Sequence, residues 1–169
     1  ANHGDRVLEL GTGSGAIAIA LAKERPDLSI TATDISIQAL EVARENASKH
    51  KCKINLERSD WFESVDGKWN LILSNPPYIA EDDPHLDFLA MEPRLALVSG
   101  PTGFEALDAL IENAHNHLRS CGHLVIEHGM GQAQEINKKL ASHNFTEITS
   151  HKDLADINRI ITCLLYTSP

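Results

Sequence analysis

One amide side chain, two prolines and a phenol follow one another at Asn75-Pro-Pro-Tyr78, where the apolar run Leu71-Ile-Leu73 ends. The run suits a buried strand. The prolines stop it, because neither carries an N–H for a sheet ladder and each fixes its own φ near about −65°. Asn75 precedes a proline and is therefore held extended, so its carboxamide leaves the strand's carboxyl end in a reproducible direction. Open α/β sheets bind ligands at that end. The chemistry that needs these groups together is transfer to a planar nitrogen. An amide or aromatic amine has its lone pair delocalised and is a poor nucleophile until its NH₂ is held and turned. The carboxamide oxygen of Asn75 and the carbonyl of Pro76 can each accept one N–H, and Tyr78 can stack on the plane, leaving the lone pair aimed at an electrophile. Asn-Pro alone would be read as a turn. The whole tetrapeptide after an apolar strand is read as a site, with Asn75, Pro76 and Tyr78 as its catalytic groups.

An electrophile needs its own holder, and the start of the chain supplies one. Asp5-Arg-Val-Leu-Glu-Leu10 reads as a strand running into Gly11-Thr-Gly-Ser-Gly15, and Ala16 to Ala22 as a helix apolar nearly all round and hence buried. Glycines let the backbone bend tightly and approach a ligand, with the helix's first N–H groups facing it. A second strand, Leu28 to Thr33, ends in Asp34, about twenty residues past the glycines, where an acid accepts ribose hydroxyls. A nucleoside ligand follows. Gly11-x-Gly13-x-x-Ala16 also fits a dinucleotide fingerprint, so the glycines alone do not choose the ligand. Glu9 favours a cation: its carboxylate would repel a pyrophosphate but suit the ammonium and sulfonium of S-adenosylmethionine. Its alternative reading is a solvated charge at a strand end.

Ser36 is the expected N-cap of a helix from Ile37 to about Lys49, followed by a strand near Lys53 to Glu57. Ser59-Asp-Trp-Phe62 then puts an acid beside two aromatics: Asp60 can accept an adenine amino proton and Trp61 can stack on the ring, or the aromatics are simply core. Ile79 to about Gly103 is a long acidic loop, read as a lid or substrate lip that Glu92 braces. Phe104 to about Leu118 is a predicted helix ended by Arg119-Ser-Cys-Gly122, with His123 to Glu127 as the next strand. Gln132 to about Ala141 is another helix. Asn144 to Thr149 and Arg159 to Cys163 are expected to pair antiparallel.

The 169 residues, 42% hydrophobic, suit one α/β domain. A net charge of −9 argues against a general nucleic-acid footprint. Cys52, Cys121 and Cys163 lie far apart, which suits small core thiols in a reduced compartment, cytoplasm or organelle matrix. The nine histidines have no ligand spacing, so no metal site is expected. No signal peptide and no membrane-spanning apolar run is read, and the protein is expected to be soluble.

With these residues in hand, the chain resembles the class I S-adenosylmethionine-dependent methyltransferases, and within them the family that methylates the side-chain amide of a glutamine in peptide chain release factors. The resemblance rests on Glu9-Leu-Gly-Thr-Gly-Ser-Gly15, Asp34, Ser59-Asp-Trp-Phe62, Asn75-Pro-Pro-Tyr78, Asp83-Pro-His85, Glu92-Pro93, Glu127-His-Gly129 and Asp153-Leu-Ala155 before Arg159. It implies a doubly wound, mostly parallel seven-stranded sheet, Rossmann-like, with a closing antiparallel hairpin. It implies cofactor contacts at Gly11, Thr12, Gly13, Ser14, Gly15, Asp34, Trp61 and Asn75, alongside Glu9 and Asp60 from the reading above. It implies substrate contacts at Asn75, Pro76, Pro77 and Tyr78. The partner implied is a release factor, with no membrane and no direct nucleic-acid binding. Residues 1–163 are read as the catalytic domain, with the family's N-terminal helical domain absent and 164–169 as a tail that its ending does not match.

Rival readings from the same residues are a methyltransferase of this motif class acting on a ribosomal-protein glutamine or on an exocyclic amine of DNA or RNA, an NAD-dependent oxidoreductase, and a non-catalytic cofactor-binding subunit.

Overall fold

The computed structural model describes residues 2–166. Seven strands form one sheet in the order β3-β2-β1-β4-β5-β7-β6. β1 (Arg6–Leu10), β2 (Ser29–Asp34), β3 (Asn55–Arg58), β4 (Trp69–Ser74) and β5 (Leu118–Glu127) run parallel. β7 (Asn158–Leu165) pairs antiparallel with both β5 and β6 (Phe145–Lys152). The class I methyltransferase architecture with its closing hairpin is thus the observed one.

Strand alternation sends successive side chains to opposite faces. Leu8, Leu10, Ile72, Leu124, Ile126 and Ile161 enter one buried cluster with α4 (Glu105–His117) and α5 (Ala133–Ser142). Val7, Ile30, Ala32 and Leu73 enter another with Ala18 of α1 (Ala16–Glu24). Both faces of the parallel strands are therefore covered, which is why Leu71 to Leu73 reads as a continuous apolar run. α2 (Ile37–His50) starts as expected at Ser36, whose Oγ accepts from the N–H of Ala39 at 3.2 Å.

Four local expectations are corrected. The helix α1 is not buried all round: Ala18 and Ile19 are buried, whereas Ala16, Ile17 and Ala20 are exposed. Arg119 to Gly122 does not end α4 but lies inside β5, where the ladder shifts register opposite Trp69 and Leu71 and Cys121 takes a φ of 57°. Gly122 is needed there because a Cβ would sit 2.9 Å from the Arg119 carbonyl and 3.1 Å from that of Trp69, the close approach of a bulge. Of the thiols only Cys163 is buried, and burial pushes it up to about 12; Cys121 is exposed. Finally, β7 runs beyond Cys163 through Leu164 and Leu165, which pair with Thr146 and Phe145, so the apolar part of the expected tail belongs to the sheet. Residues 167–169 of that tail lie outside the described residues.

The long segment after Tyr78 contains a 3₁₀ turn at Pro84–Leu89, capped by Asp83, and the short helix α3 (Arg94–Leu97). Its base is zipped by hydrogen bonds between Ile79 and both Leu97 and Ser99. Glu92 is exposed and its carboxylate bonds no described residue; the brace is instead Arg94, whose Nη2 donates to the Glu81 carbonyl at 3.1 Å.

Candidate active site at the carboxyl edge of the sheet

Register brings the expected site residues to one edge. Leu10 lies opposite Thr33 on one side and Ser74 on the other, and Asp34 lies opposite Arg58. Gly11, Asp34, Ser59 and Asn75 therefore leave four adjacent strands at the same end. The chain winds outward from β1 through β2 and β3 and then returns to β4 on β1's other side, which makes this the topological switch point where a crevice opens. Two bonds tie the edge together: Ser74 Oγ donates to the Leu10 carbonyl at 2.8 Å, and the Thr12 N–H donates to the Thr33 carbonyl at 2.9 Å.

In the glycine turn, Gly11, Gly13 and Gly15 have φ of 69°, 55° and 80°, a region that L side chains rarely adopt. A Cβ on Gly11 or Gly13 would meet no atom within 4 Å, so these two form an open floor; on Gly15 it would press on Ala43 at 3.1 Å, so Gly15 lets α1 approach α2. Gly15 is also the N-cap of α1 and has no side chain to offer. Glu9 supplies the missing acceptor. Its Oε2 accepts from the N–H of Ala18 at 3.1 Å and from Thr12 Oγ1 at 2.6 Å.

Glu9 is thus neither a solvated charge nor open at the turn's surface: it is 2% exposed beneath the turn it braces. Burial pushes its carboxyl up to about 7, opposed by those two hydrogen bonds and reinforced by Asp34. Asp34 spans the same turn, accepting from the N–H of Gly13 at 2.8 Å and, on its other oxygen, from the N–H of Ser36 at 2.9 Å. Each of its oxygens keeps a lone pair for a further donor. Ser14 is exposed and its carbonyl accepts from Asn46 Nδ2 at 3.0 Å.

Beyond β3, Ser59 is buried and its Oγ donates to the Trp61 carbonyl at 2.8 Å while accepting from the Ser64 N–H. That clamp holds Trp61 at a φ of 45°, half-buried against the larger cluster, with Asp60 exposed beside it. Asp60 and Trp61 also line a cleft of about 410 Å³ with Phe62 and with Ala109, Asn113 and His117 of α4.

Asn75 is exposed, and no described residue hydrogen-bonds its carboxamide. Pro76 behind it is buried and Pro77 half-buried. The Tyr78 phenol faces Glu127 at 3.5 Å, and burial first, then that carboxylate, raises its pKa above the ordinary value. Sequence reasoning missed Gln132, which joins Tyr78 to Gly103 and Gly129; a glutamine at a helix start carries no local signal.

An open glycine floor, the acids Glu9 on β1 and Asp34 on β2, and an exposed amide at Asn75 that no described residue bonds thus share one edge of the sheet. Residues 1–152 match the model of the methyltransferase small domain. The chain belongs to that family. Among curated relatives of this methyltransferase domain, the release factor glutamine methyltransferase of Coxiella burnetii is 40% identical over 92% of this chain and 57% of its own length. That of Xylella fastidiosa is 43% identical over 92% and 58%, and that of Escherichia coli 40% over 92% and 57%. The chain thus spans a little under three fifths of these relatives. A methyltransferase from Pyrococcus furiosus shares the fold at a TM-score of 0.77 and 20% identity, covering 98% of this chain and 77% of that one. The ribosomal protein L11 methylase of Lactobacillus delbrueckii gives 0.69 at 27%, covering 95% and 69%.

Proposed function

We propose that this methyltransferase domain transfers a methyl group from S-adenosylmethionine to the side-chain amide nitrogen of a glutamine in a peptide chain release factor. The observation that carries the proposal is the register that puts Asn75, whose carboxamide no described residue bonds, beside the open glycine floor. The names of the relatives support the substrate.

The residues present fit the cofactor. Gly11 and Gly13 leave room above their backbone, Thr12 and Ser14 shape the turn, Asp34 has lone pairs for ribose hydroxyls, and Asp60 and Trp61 offer an acceptor and a ring to adenine. Glu9 lies buried under the turn, where an amino-acid ammonium close by would favour its carboxylate form. S-adenosylmethionine bound there would supply a methyl on a sulfonium. The glutamine amide donates its two N–H groups to Asn75 Oδ1 and the Pro76 carbonyl, with Pro77 and Tyr78 flanking its plane. Held so, the amide nitrogen would face the methyl that a bound sulfonium supplies, and once methylated it would be strongly acidic and shed a proton to water. Orientation suffices, and no general base is assigned. The acidic segment after Tyr78, with Phe88 and Met91 projecting from it almost fully exposed, is the substrate lip. Its charge and the net −9 oppose nucleic-acid substrates. Three free thiols suit the cytoplasm or an organelle matrix; among the described residues no helix is long and apolar enough to cross a membrane.

Labelled S-adenosylmethionine offered with release factor, ribosomal protein, DNA and RNA is expected to label a release-factor glutamine, and calorimetry to show binding of S-adenosylmethionine and not NAD. Label in another acceptor replaces the substrate; NAD binding without S-adenosylmethionine binding ends the methyltransferase reading. A version of the chain preceded by a helical domain is expected to act on intact release factor with a higher kcat/KM, because remote binding energy orients the reacting centre. Equal values would remove such a domain from the argument.

A further inference from the structure

The carboxamide of Gln132 joins three segments beside the reactive edge. Its Nε2 donates to the Tyr78 carbonyl at 3.2 Å and to the Gly103 carbonyl at 3.1 Å, while its Oε1 accepts from the Gly129 N–H at 2.8 Å. Both amide hydrogens are used. Tyr78 opens the long lip segment and Gly103 closes it, so a single NH₂ holds the two feet of the lip together. The fit around it is tight: a Cβ on Gly103 would lie 2.7 Å from the Tyr78 carbonyl and 3.0 Å from the Ala80 nitrogen. A Cβ on Gly129 would lie 3.0 Å from Gln132 Oε1 and 3.1 Å from Tyr78 Cδ2. The phenol contributes less, since its contact with Glu127 is at the 3.5 Å limit of a hydrogen bond.

We propose that Gln132 is a positioning residue for methyl transfer: a latch that fixes Tyr78, and through it the Pro76 carbonyl and Asn75, while locking the base of the lip. The catalytic role rests on the function proposed above; the latch itself does not. Only a primary-amide side chain meets the requirement. Two carbonyl oxygens and one N–H converge on it, so two donors and one acceptor must come from one planar group, which is an amide. Gln132→Met keeps the length without either donor. Gln132→Glu puts an oxygen against two carbonyl oxygens, and only its protonated form restores one donor.

Amide hydrogen exchange of the whole chain tests the latch without substrate. In both variants the peptides covering the two feet, 78–82 and 97–104, are expected to exchange about tenfold faster, with those of β1 and β2 unchanged, because the lip base opens locally. On release factor, kcat is expected to fall about 10- to 100-fold with KM and cofactor affinity changed by no more than about threefold, the signature of lost orientation. Gln132→Glu should regain part of the parent rate as the pH is lowered; Gln132→Met should not. Unchanged exchange at the feet, or equally faster exchange everywhere including loss of the fold, overturns the latch. Faster feet with an undiminished kcat overturns its catalytic role. A parent chain that labels no release factor defeats the proposed function and leaves the exchange result to decide the latch.

Discussion

Asn75→Ala is expected to lower single-turnover methyl transfer to release factor on the order of 10²–10³-fold in kcat while leaving the melting temperature nearly unchanged. The separation follows from where Asn75 sits. Its side chain is exposed and bonds no described residue, so truncation opens no cavity and orphans no partner. Pro76 still follows, so the backbone at position 75 stays extended. On the proposed function, what is lost is the acceptor that turns the substrate amide. Cofactor affinity should fall less, since Gly11 to Gly15, Asp34 and Trp61 remain. Asn75→Asp keeps an acceptor but loses the NH₂ and brings a charge near the sulfonium, and it too should stay well below the parent rate. The measurements are single-turnover methylation, calorimetric cofactor binding and a melting curve. If Asn75→Ala transfers methyl within a few-fold of the parent, the Asn75-Pro-Pro-Tyr78 stretch is only a turn.

Glu9→Gln is expected to raise stability and weaken cofactor binding together. The folded state holds the Glu9 proton more tightly than the unfolded chain does, with a pKa of about 7 against 4.5, and burial is the main cause. The sign follows from that difference. Stability from this group is complete below about pH 4.5 and is lost as the pH rises through about 7, where the buried carboxylate costs about 3 kcal/mol. Glutamine keeps an oxygen for Thr12 and Ala18 without the charge, so the variant should melt higher than the parent above neutral pH and like it in acid. An ammonium close to Glu9 would stabilise the carboxylate, so the parent's affinity for S-adenosylmethionine should increase with pH through about 7. Glu9→Gln should bind about 10- to 100-fold more weakly above that pH and show no such rise. Calorimetry in buffers of different ionisation enthalpy reads the released proton directly. Equal affinity of variant and parent across this range would make Glu9 a brace for the turn and nothing more.

These two residues also mark what local sequence can and cannot carry. Asn75 was legible because its surroundings are adjacent in the chain: an apolar run, then prolines, then an aromatic, each acting on its neighbour through φ, missing N–H groups and side-chain alternation. The glycine turn, Asp34 at the end of β2, the Ser36 cap and the strand β1 were legible for the same reason. Glu9 was legible as an acid at a strand end, but not as a buried one, because its burial depends on Thr12 and Ala18 folding back over it.

Elsewhere the tertiary structure overruled the local pattern or supplied what no pattern contained. Arg119 to Gly122 has the composition of a helix stop, yet pairing with β4 draws it into a strand, since the ladder's hydrogen bonds and the burial of Leu118 outweigh a turn preference. Leu164 and Leu165 have no local signature and are placed by the β6 ladder. α1 looks buried all round, but whether its second face is covered depends on which elements reach it, and none of the described ones cover Ile17. Gln132 lies 54 residues from the carbonyl it holds. The sequence by itself determined most of the strands and helices, the glycine turn and the strand end at Asn75, because those depend on steric and hydrogen-bonding rules between near neighbours. Only the fold decided which distant groups meet beside it, such as Gln132 with Tyr78 and Gly103, because a hydrogen bond between segments exists only after the sheet has brought their backbones within reach.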